Sequence, residues 1–145
     1  MKKTDLAYVA GIIDGEGTIG LYLVPQKTSK FCHVLRVQVG NTNEWLCQWL
    51  AFAFGGFTRQ DSNGSLKGKN HKPTWRWTIC AKKALIFLEL VYPYLRLKKY
   101  QAEIAIQFQG KKLGQGHHLT EGQKAVEEAQ RIVMRKLNQR GVREV

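Results

Sequence analysis

The hydrophobic period changes at Gly17, and this change is the feature that most constrains the fold. Before it, the segment DLAYVAGIIDG (5–15) carries small and apolar residues at helical spacing and ends in a glycine, which predicts a short helix. After it, apolar residues alternate with polar or small ones from Ile19 to Leu23, which is the period of a strand. A proline-containing turn then leads into a second alternating run, Phe31 to Val39. The chain is therefore predicted to begin with a helix followed by a β-hairpin.

The same succession of helix and hairpin is expected further along the chain. Asn41 is followed three residues later by Glu44, the spacing of a capping box, which predicts a helix that ends at Gly55-Gly56. Residues 57–61 and 74–80 are expected to form a second hairpin, joined by the polar, glycine-bearing segment SNGSLKGKNHK.

Helical segments are expected after the second hairpin, over residues 82–92 and 97–109 and in a last helix that Thr120 and Gln123 begin. The last helix is predicted to end near Gly141 and to pack through an apolar stripe made of Val126, Ala129, Val133 and Leu137. These elements predict an α+β fold of order αββαββα with an extra C-terminal helix, forming one domain over residues 1–145.

The charge distribution indicates an acidic partner. The formal charge is +12 in 145 residues. Between residues 17 and 83 there are ten Lys or Arg residues, and the only acids are Glu44 and Asp61. A surface that serves solubility alone would normally mix both signs, so we favour a surface that faces a polyanion such as nucleic acid.

Helices are expected to cover one side of the antiparallel sheet and to leave the other side bare. Because side chains alternate along a strand, Leu35 and Val37 on the covered side place Arg36 and Gln38 on the bare side. Trp75 and Trp77 are expected in the core by the same argument. The candidate DNA-binding residues of this surface are Tyr22, Val24, Gln26, Lys30, Cys32, Arg36, Gln38, Arg59, Asp61, Arg76 and Thr78, with Lys67, Lys69 and Lys72 holding phosphates from the hairpin tip.

Several other classes of protein do not fit the composition. No run approaches the ~20 apolar residues of a membrane span, and no long apolar segment follows the N-terminus as in a signal peptide, so a soluble, intracellular protein is expected. Three cysteines without CxxC spacing predict reduced thiols. The histidines at 33, 71, 117 and 118 show no recognised zinc spacing, and we expect loop or surface roles for them.

The segment VAGIIDGEG (9–17) joins the first helix to the first strand. Its continuation GEGTIG satisfies the G-x-G-x-x-G pattern of dinucleotide-binding folds, but that pattern needs a strand before it and a helix after it, the reverse of the order here. VAGIIDGEG instead closely resembles the LAGLIDADG motif of homing endonucleases. The resemblance continues in the right order through QVGNTNEWL (38–46), Gly55-Gly56, TWRWTICAKKAL (74–85) and PYLRLKKYQAE (93–103). It is strongest to the single-motif, homodimeric class found in mobile introns.

One face of the first helix is almost without side chains, because Ala7, Gly11 and Gly15 are spaced i, i+4 and i+8. Either this face packs inside its own subunit, or a second copy packs against it about a two-fold axis. We favour the second copy, which would bring two Glu16 carboxylates together as a divalent-metal site beside phosphates. Asp14 is expected to serve helix-end and interface structure rather than metal binding.

The family resemblance implies roles for individual residues. Glu16 occupies the last acidic position of the motif, which binds the catalytic metal, Mg²⁺ or Mn²⁺, and Gly15 belongs to the same metal site; Glu stands here where Asp is commoner. Lys98 and Asn41 would order the attacking water or stabilise developing charge. Relatives often carry a basic residue at the position where this chain has Trp45.

The resemblance therefore implies a saddle-shaped sheet and a homodimeric, metal-dependent endonuclease that cuts both strands of a pseudo-palindromic double-stranded DNA. Strands of about ten residues span ~33 Å, or about ten base pairs, so the dimer would read about 20 base pairs. The expected location is the prokaryotic cytoplasm or the organelle that houses the intron. The alternative is a non-catalytic protein of the same fold, either an intron maturase that binds RNA or a DNA-binding regulator.

Overall fold

The computed structural model describes residues 1–27, 30–62, 65–66, 69–70, 72–112 and 118–139, with the backbone alone at residues 62, 65–66 and 69–70. Three helices follow the second hairpin, and the predicted order of the preceding elements is confirmed. The elements are α1 (Lys3–Glu16), β1 (Gly17–Pro25), β2 (Phe31–Asn41), α2 (Glu44–Phe54), β3 (Phe57–Ser62), β4 (Ser65–Leu66), β5 (Lys69–Asn70), β6 (Thr74–Cys80), α3 (Ala81–Val91), α4 (Lys99–Gly110) and α5 (Glu121–Leu137), with a 3₁₀ turn at Tyr92–Tyr94 between α3 and α4.

Four strands form one antiparallel sheet in the order β1-β2-β6-β3, and β4 pairs with β5 as a separate short ribbon. The register places Ile19 opposite Val37, and Val37 in turn opposite Ile79. All three side chains are buried on the helix-covered side of the sheet. The alternation predicted from the sequence is therefore in the correct phase on the three longest strands.

The core lies between the sheet and the helices, and Trp77 is its largest side chain. The Trp77 ring packs edge-on against Phe87 with ring centroids 5.2 Å apart, and its indole N–H donates to the Gly55 carbonyl at 2.9 Å. Gly55 and Gly56 have φ values of +88° and +82°, and a Cβ on Gly56 would lie 2.3 Å from the Thr78 carbonyl oxygen. The predicted break after α2 is confirmed, and close packing against β6 is its physical reason.

The predicted cap of α2 is wrong by two residues. Asn43 is the N-cap, and its side chain accepts a hydrogen bond from the Leu46 amide. β2 continues to Asn41, whose side chain is turned towards the end of α1 instead. The capping box of Thr120 and Gln123 is confirmed at the start of α5.

The predicted apolar stripe of α5 is also wrong. Val126 and Val133 are 52% and 47% exposed, whereas Glu127 and Met134 are buried. α5 packs on β1, β2 and α4 through polar contacts as well as through Met134. The helix ends at Leu137, and Gly141 lies outside the described residues.

His33 makes one of these polar contacts, so its expected surface role is wrong. Its imidazole is only 10% exposed and lies between two acids of α5, with Nε2 2.7 Å from Glu128 and Nδ1 3.5 Å from Glu127. The three cysteines are free, as expected. Within the described ranges, no helix combines the length and apolarity needed to cross a membrane.

Candidate active site

The candidate site begins where α1 passes directly into β1. Glu16 is the last residue of α1, and its side chain is exposed. The next residue must be glycine, because a Cβ on Gly17 would lie 2.7 Å from the Ile13 Cα and 2.9 Å from its carbonyl oxygen. This tight junction fixes the Glu16 backbone between α1 and the first strand of the sheet.

Asn41 holds the Glu16 side chain from the end of β2. Its amide nitrogen donates to Glu16 Oε2 at 2.6 Å, and its Oδ1 accepts from the Asn43 N–H at 2.8 Å. The second contact determines which end of the amide faces Glu16, because only the carbonyl oxygen accepts a hydrogen bond. The structure thus joins two of the predicted catalytic residues.

Lys98, the third predicted catalytic residue, lies against the same end of α1. Its Nζ donates to the carbonyl oxygens of Ile13, at 2.9 Å, and of Gly17. A cation is favourable there because the last carbonyls of a helix carry partial negative charge. Burial lowers the pKa of the Lys98 ammonium, and the negative charge of Asp14 opposes that shift.

Asp14 is engaged within its own chain. Its carboxylate accepts hydrogen bonds from the backbone N–H groups of Arg96, Leu97 and Lys98 at 2.9, 3.1 and 3.0 Å. Asp14 therefore serves a helix end, as expected. That helix is α4, whose start it binds, and not α1, in which Asp14 itself lies. A part in a dimer interface stays a prediction.

A shallow, open depression of about 430 Å³ lies beside Glu16 and runs onto the sheet; its lining is Glu16, Gly40, Asn41, Thr42, Asp61, Thr74 and Trp75. Among the described residues, no three His, Cys, Asp or Glu side chains lie together as a ligand cluster. One carboxylate with room for water and phosphate oxygens matches how Mg²⁺ binds, since Mg²⁺ takes one or two carboxylates and keeps several waters. Glu16, with the exposed Gly15 beside it, fits such a cation.

The outer face of α1 is exposed. Val9, Ala10 and Ile13 are buried on its inner face, whereas Ala7, Gly11 and Gly15 face outwards. A Cβ at Gly11 or Gly15 would meet nothing within 4 Å. The alternative that this small-residue face packs inside its own subunit is therefore excluded.

Those predicted DNA-binding residues that the structure describes lie on the uncovered side of the sheet and at its ends, and they differ in accessibility. Thr78 is only 5% exposed because Gln38 lies over it and donates from Nε2 to its hydroxyl at 3.2 Å. The Lys67 residue and the Lys69 side chain fall outside the described part of the chain. Gln26, Lys30, Arg59, Asp61 and Lys72 are exposed, and Tyr22, Val24, Cys32, Arg36, Gln38 and Arg76 are half-buried.

Two of the basic side chains on this surface are held by neighbours. The Arg76 guanidinium forms an ion pair with Asp61 at 2.8 Å, so Asp61 orients an arginine. Arg36 lies over the Tyr22 ring, 5.4 Å from its centroid. The Tyr22 ring in turn lies across Gly20, where a Cβ would come within 2.6 Å of the Tyr22 hydroxyl. These contacts restrict both arginines before any ligand binds.

An aromatic stack on α1 and α2 was missed by the sequence analysis. Trp45 is 65% exposed and stacks on Trp49 with centroids 6.0 Å apart and planes 9° apart, and Tyr8 lies 6.1 Å from Trp49. The spacing of Trp45 and Trp49, one helical turn apart, was the available signal. The stack borders the small-residue face of α1, because Tyr8 is adjacent to Ala7.

No family model and no curated protein sequence matches the chain. Among solved structures, archaeal intron-encoded I-Vdi141I complexed with DNA matches with a TM-score of 0.75 at 16% identity, over 100% of this chain and 91% of that one. The homing endonuclease I-CvuI, in complex with its target in the presence of calcium, matches with a TM-score of 0.72 at 18% identity, over 98% and 87% of the two chains. The chain has the LAGLIDADG homing endonuclease fold.

Within this fold the chain corresponds to about half of some proteins. The I-SmaMI LAGLIDADG homing endonuclease, bound to cleaved DNA, matches with a TM-score of 0.66 at 21% identity, over 93% of this chain but only 45% of that one. At these identities the likeness establishes the shared fold alone.

Proposed function

We propose that this protein is a homodimeric, divalent-metal-dependent homing endonuclease that cuts both strands of a specific, pseudo-palindromic DNA. The observation that carries the proposal is the Glu16 carboxylate, exposed at the end of α1 and held by Asn41 at 2.6 Å, next to a lysine bound to the same helix end. The neighbours of the same fold, which include DNA complexes and one bound to cleaved DNA, support this function.

Glu16 would hold the divalent cation, Mg²⁺ or Mn²⁺, together with Gly15. Such a cation would polarise the scissile phosphate and stabilise the negative charge that develops during hydrolysis of a P–O bond by water. Asn41 keeps the Glu16 carboxylate in one orientation, which reduces the reorganisation needed when the phosphate binds. Lys98 adds a positive charge that stabilises the developing charge from a partly desolvated position.

The outer face of α1 supports the homodimer. A glycine inside a helix costs about 1 kcal/mol relative to alanine, and Gly11 gains no packing within its own chain in return. A second α1 packed against Ala7, Gly11 and Gly15 would recover this cost through close backbone contact. This chain also matches only 45% of the I-SmaMI chain. That share is what would be expected if one I-SmaMI chain held two copies of the fold in place of two subunits.

The uncovered side of the sheet supports the DNA substrate. β2 has 11 residues, hence a length of roughly 36 Å, which follows about ten base pairs of duplex. Two copies would therefore cover about 20 base pairs. Arg36 and Arg76 lie on this side, and the exposed Lys72 would contact a phosphate.

A randomised target allows the proposal to be tested before the cleavage site is identified. A plasmid library with a palindromic, randomised cassette of about 20 base pairs is incubated with the protein and Mg²⁺, and the cleaved members are sequenced. We expect cleavage at a narrow set of sequences, and we expect Glu16→Gln to abolish it while binding to the selected DNA in Ca²⁺ survives. Glu121→Gln makes the same charge change at the first residue of α5, where the side chain is 96% exposed, and should cut normally.

The outcomes separate the proposal from its alternative. Full cleavage by Glu16→Gln in Mg²⁺ would remove Glu16 from the metal site. Binding to DNA with no cleavage by the wild type, in Mg²⁺ or Mn²⁺, would favour a non-catalytic regulator of the same fold. Preferential binding to structured intron RNA over duplex DNA would favour a maturase.

A further inference from the structure

We propose that Asp14 is a positioning residue for cleavage, which acts by fixing Lys98 and not by touching DNA or metal. The inference rests on the proposed function, because it assigns a role within the same site. It separates the two acids at the end of α1: Glu16 holds the cation, and Asp14 holds the lysine.

Asp14 anchors residues 96–98. These residues lead into α4, and their N–H groups point to the Asp14 carboxylate, where Oδ2 accepts from Arg96 and Oδ1 accepts from both Leu97 and Lys98. Lys98 is the N-cap of α4, and no side-chain cap bond is made there. The first N–H groups of a helix and successive N–H groups of a turn bind anions strongly. Asp14, more than 80 residues away in sequence, is the anion that this turn binds.

The lysine side chain is held at both of its ends. The Lys98 backbone is held by Asp14, and its Nζ is held by the Ile13 and Gly17 carbonyls. Both ends of the side chain are thus fixed to the final turn of α1 and to Gly17, the residue that follows it. Glu16 belongs to that same turn, so the lysine and the glutamate share one rigid element. Without Asp14, Nζ would keep its carbonyl partners, but the backbone from which it reaches them would be free to move.

A positioning role for Asp14 differs from a structural or interface role in its dependence on Lys98. A residue that only stabilises the fold, or only contacts a second copy, would affect cleavage whether or not residue 98 is a lysine. A residue that acts through Lys98 loses its effect on cleavage when Lys98 is removed. The coupling between the two positions is therefore the decisive quantity.

The experiment is a double-mutant cycle on Asp14→Asn and Lys98→Ala, with the selected plasmid DNA as substrate. Single-turnover cleavage is measured in Mg²⁺ with saturating protein, and affinity is measured in Ca²⁺. With Lys98 present, we expect Asp14→Asn to slow cleavage about 10²-fold, as for a reactive group displaced by about 1 Å, and to leave affinity unchanged. With Lys98→Ala, we expect no further loss. Asp5→Asn removes the same charge at the opposite end of α1 and should cut at the wild-type rate.

A second measurement uses the wild-type protein alone. In the wild type, the amides of Arg96, Leu97 and Lys98 should be protected from hydrogen exchange to the same degree as the first bonded amides of α4. Rapid exchange at all three amides would show that Asp14 does not anchor residues 96–98.

An equal loss of rate in the Lys98 and Lys98→Ala backgrounds, or no loss in either, would overturn the positioning role. Cleavage by the wild type with an unaffected Asp14→Asn variant would overturn this inference alone. A wild type that cuts no member of the library would overturn the proposed function and this inference with it.

Discussion

Asn41 and Glu16 are joined by a hydrogen bond of 2.6 Å, so the end of β2 holds the side chain that ends α1. The Asn43 N–H fixes the amide of Asn41 in the orientation that presents its nitrogen to the carboxylate. The contact makes Glu16 an oriented acceptor in the free protein, and this orientation has a measurable consequence.

Asn41→Ala should slow cleavage about tenfold. A hydrogen bond to a charged group contributes about 1.5–3 kcal/mol, and because this one is exposed we take the lower value, which corresponds to a factor of about ten in rate. Affinity for the selected DNA in Ca²⁺ should change little. Gln107→Ala, which removes an exposed side-chain amide from α4, is the matched control and should keep the wild-type rate. A single-turnover rate for Asn41→Ala equal to that of the wild type would show that Glu16 needs no help from β2.

Arg36 should determine base preference, since it lies on the uncovered face of β2 and is already held over Tyr22. Arginine pairs best with guanine O6 and N7, a contact that contributes about 1–3 kcal/mol of discrimination. Arg36→Ala should therefore relax preference at one or two base pairs in each half-site. Lys72→Ala, at an exposed lysine of the second hairpin, should weaken binding to all DNA sequences alike and lower the salt dependence of the affinity.

Sequencing the cleaved members of the library decides between these effects. Unchanged preference at every position in Arg36→Ala would remove Arg36 from the readout. A selective change in Lys72→Ala would make that lysine a reader of bases instead of a phosphate contact.

The parts of the fold that are predictable from the sequence are those that local patterns determine. The period of two in β2 gave the correct buried set, Leu35, Val37 and Val39, because one covered face imposes strict alternation. The small-residue face of α1 was visible because it depends on spacing alone. The candidate residues Glu16, Asn41 and Lys98 came from the motif resemblance, and the structure brings them to one end of α1.

The contacts that the sequence could not predict join residues far apart in the chain. Asp14 meets the start of α4 more than 80 residues later, and Asn138 donates to the Ile19 carbonyl at 2.8 Å, 119 residues away. α5 is the clearest case. Its hydrophobic residues predict Val126 and Val133 on the inner face, but Glu127 lies there instead, where it pairs with His33. Hydrophobic periodicity depends on the apolar residues alone, so it does not predict such polar pairs.

Glu128 makes the stability of α5 packing depend on pH. Its hydrogen bonds with Arg131, first, and with His33 lower its pKa from the ordinary 4.5 to about 2. A lowered folded-state pKa means that the carboxylate stabilises the fold fully above pH 4.5 and loses this contribution as the pH falls towards 2. Because the side chain is 38% exposed, solvent screening limits the contribution to about 1 kcal/mol or less.

The free energy of unfolding, measured by urea denaturation from pH 7 to pH 2.5, checks this expectation. Glu128→Gln should be less stable than the wild type above pH 5, and the difference should shrink below pH 4.5. Glu121→Gln, at an almost fully exposed acid of the same helix, should show no such convergence. A difference that stays constant across the range would contradict the ionic origin of the effect.

Gly11→Leu should abolish the homodimer while leaving the subunit folded. The position faces outwards from α1, and a Cβ there meets nothing within 4 Å of its own chain. Leucine also has a higher helix propensity than glycine, by roughly 0.8 kcal/mol, so the isolated subunit should be at least as stable. The expected loss is therefore confined to the contact with a second α1, where a bulky side chain would hold the backbones apart.

Gly110→Leu, at another glycine with open space at the end of α4, is the matched control. Light scattering after size exclusion should give a dimer for the wild type and for Gly110→Leu, and a monomer for Gly11→Leu. Thermal unfolding should confirm that all three are folded. A Gly11→Leu protein that stays dimeric, or a wild type that is monomeric even with its selected DNA, would mean that two copies of Glu16 do not meet across α1.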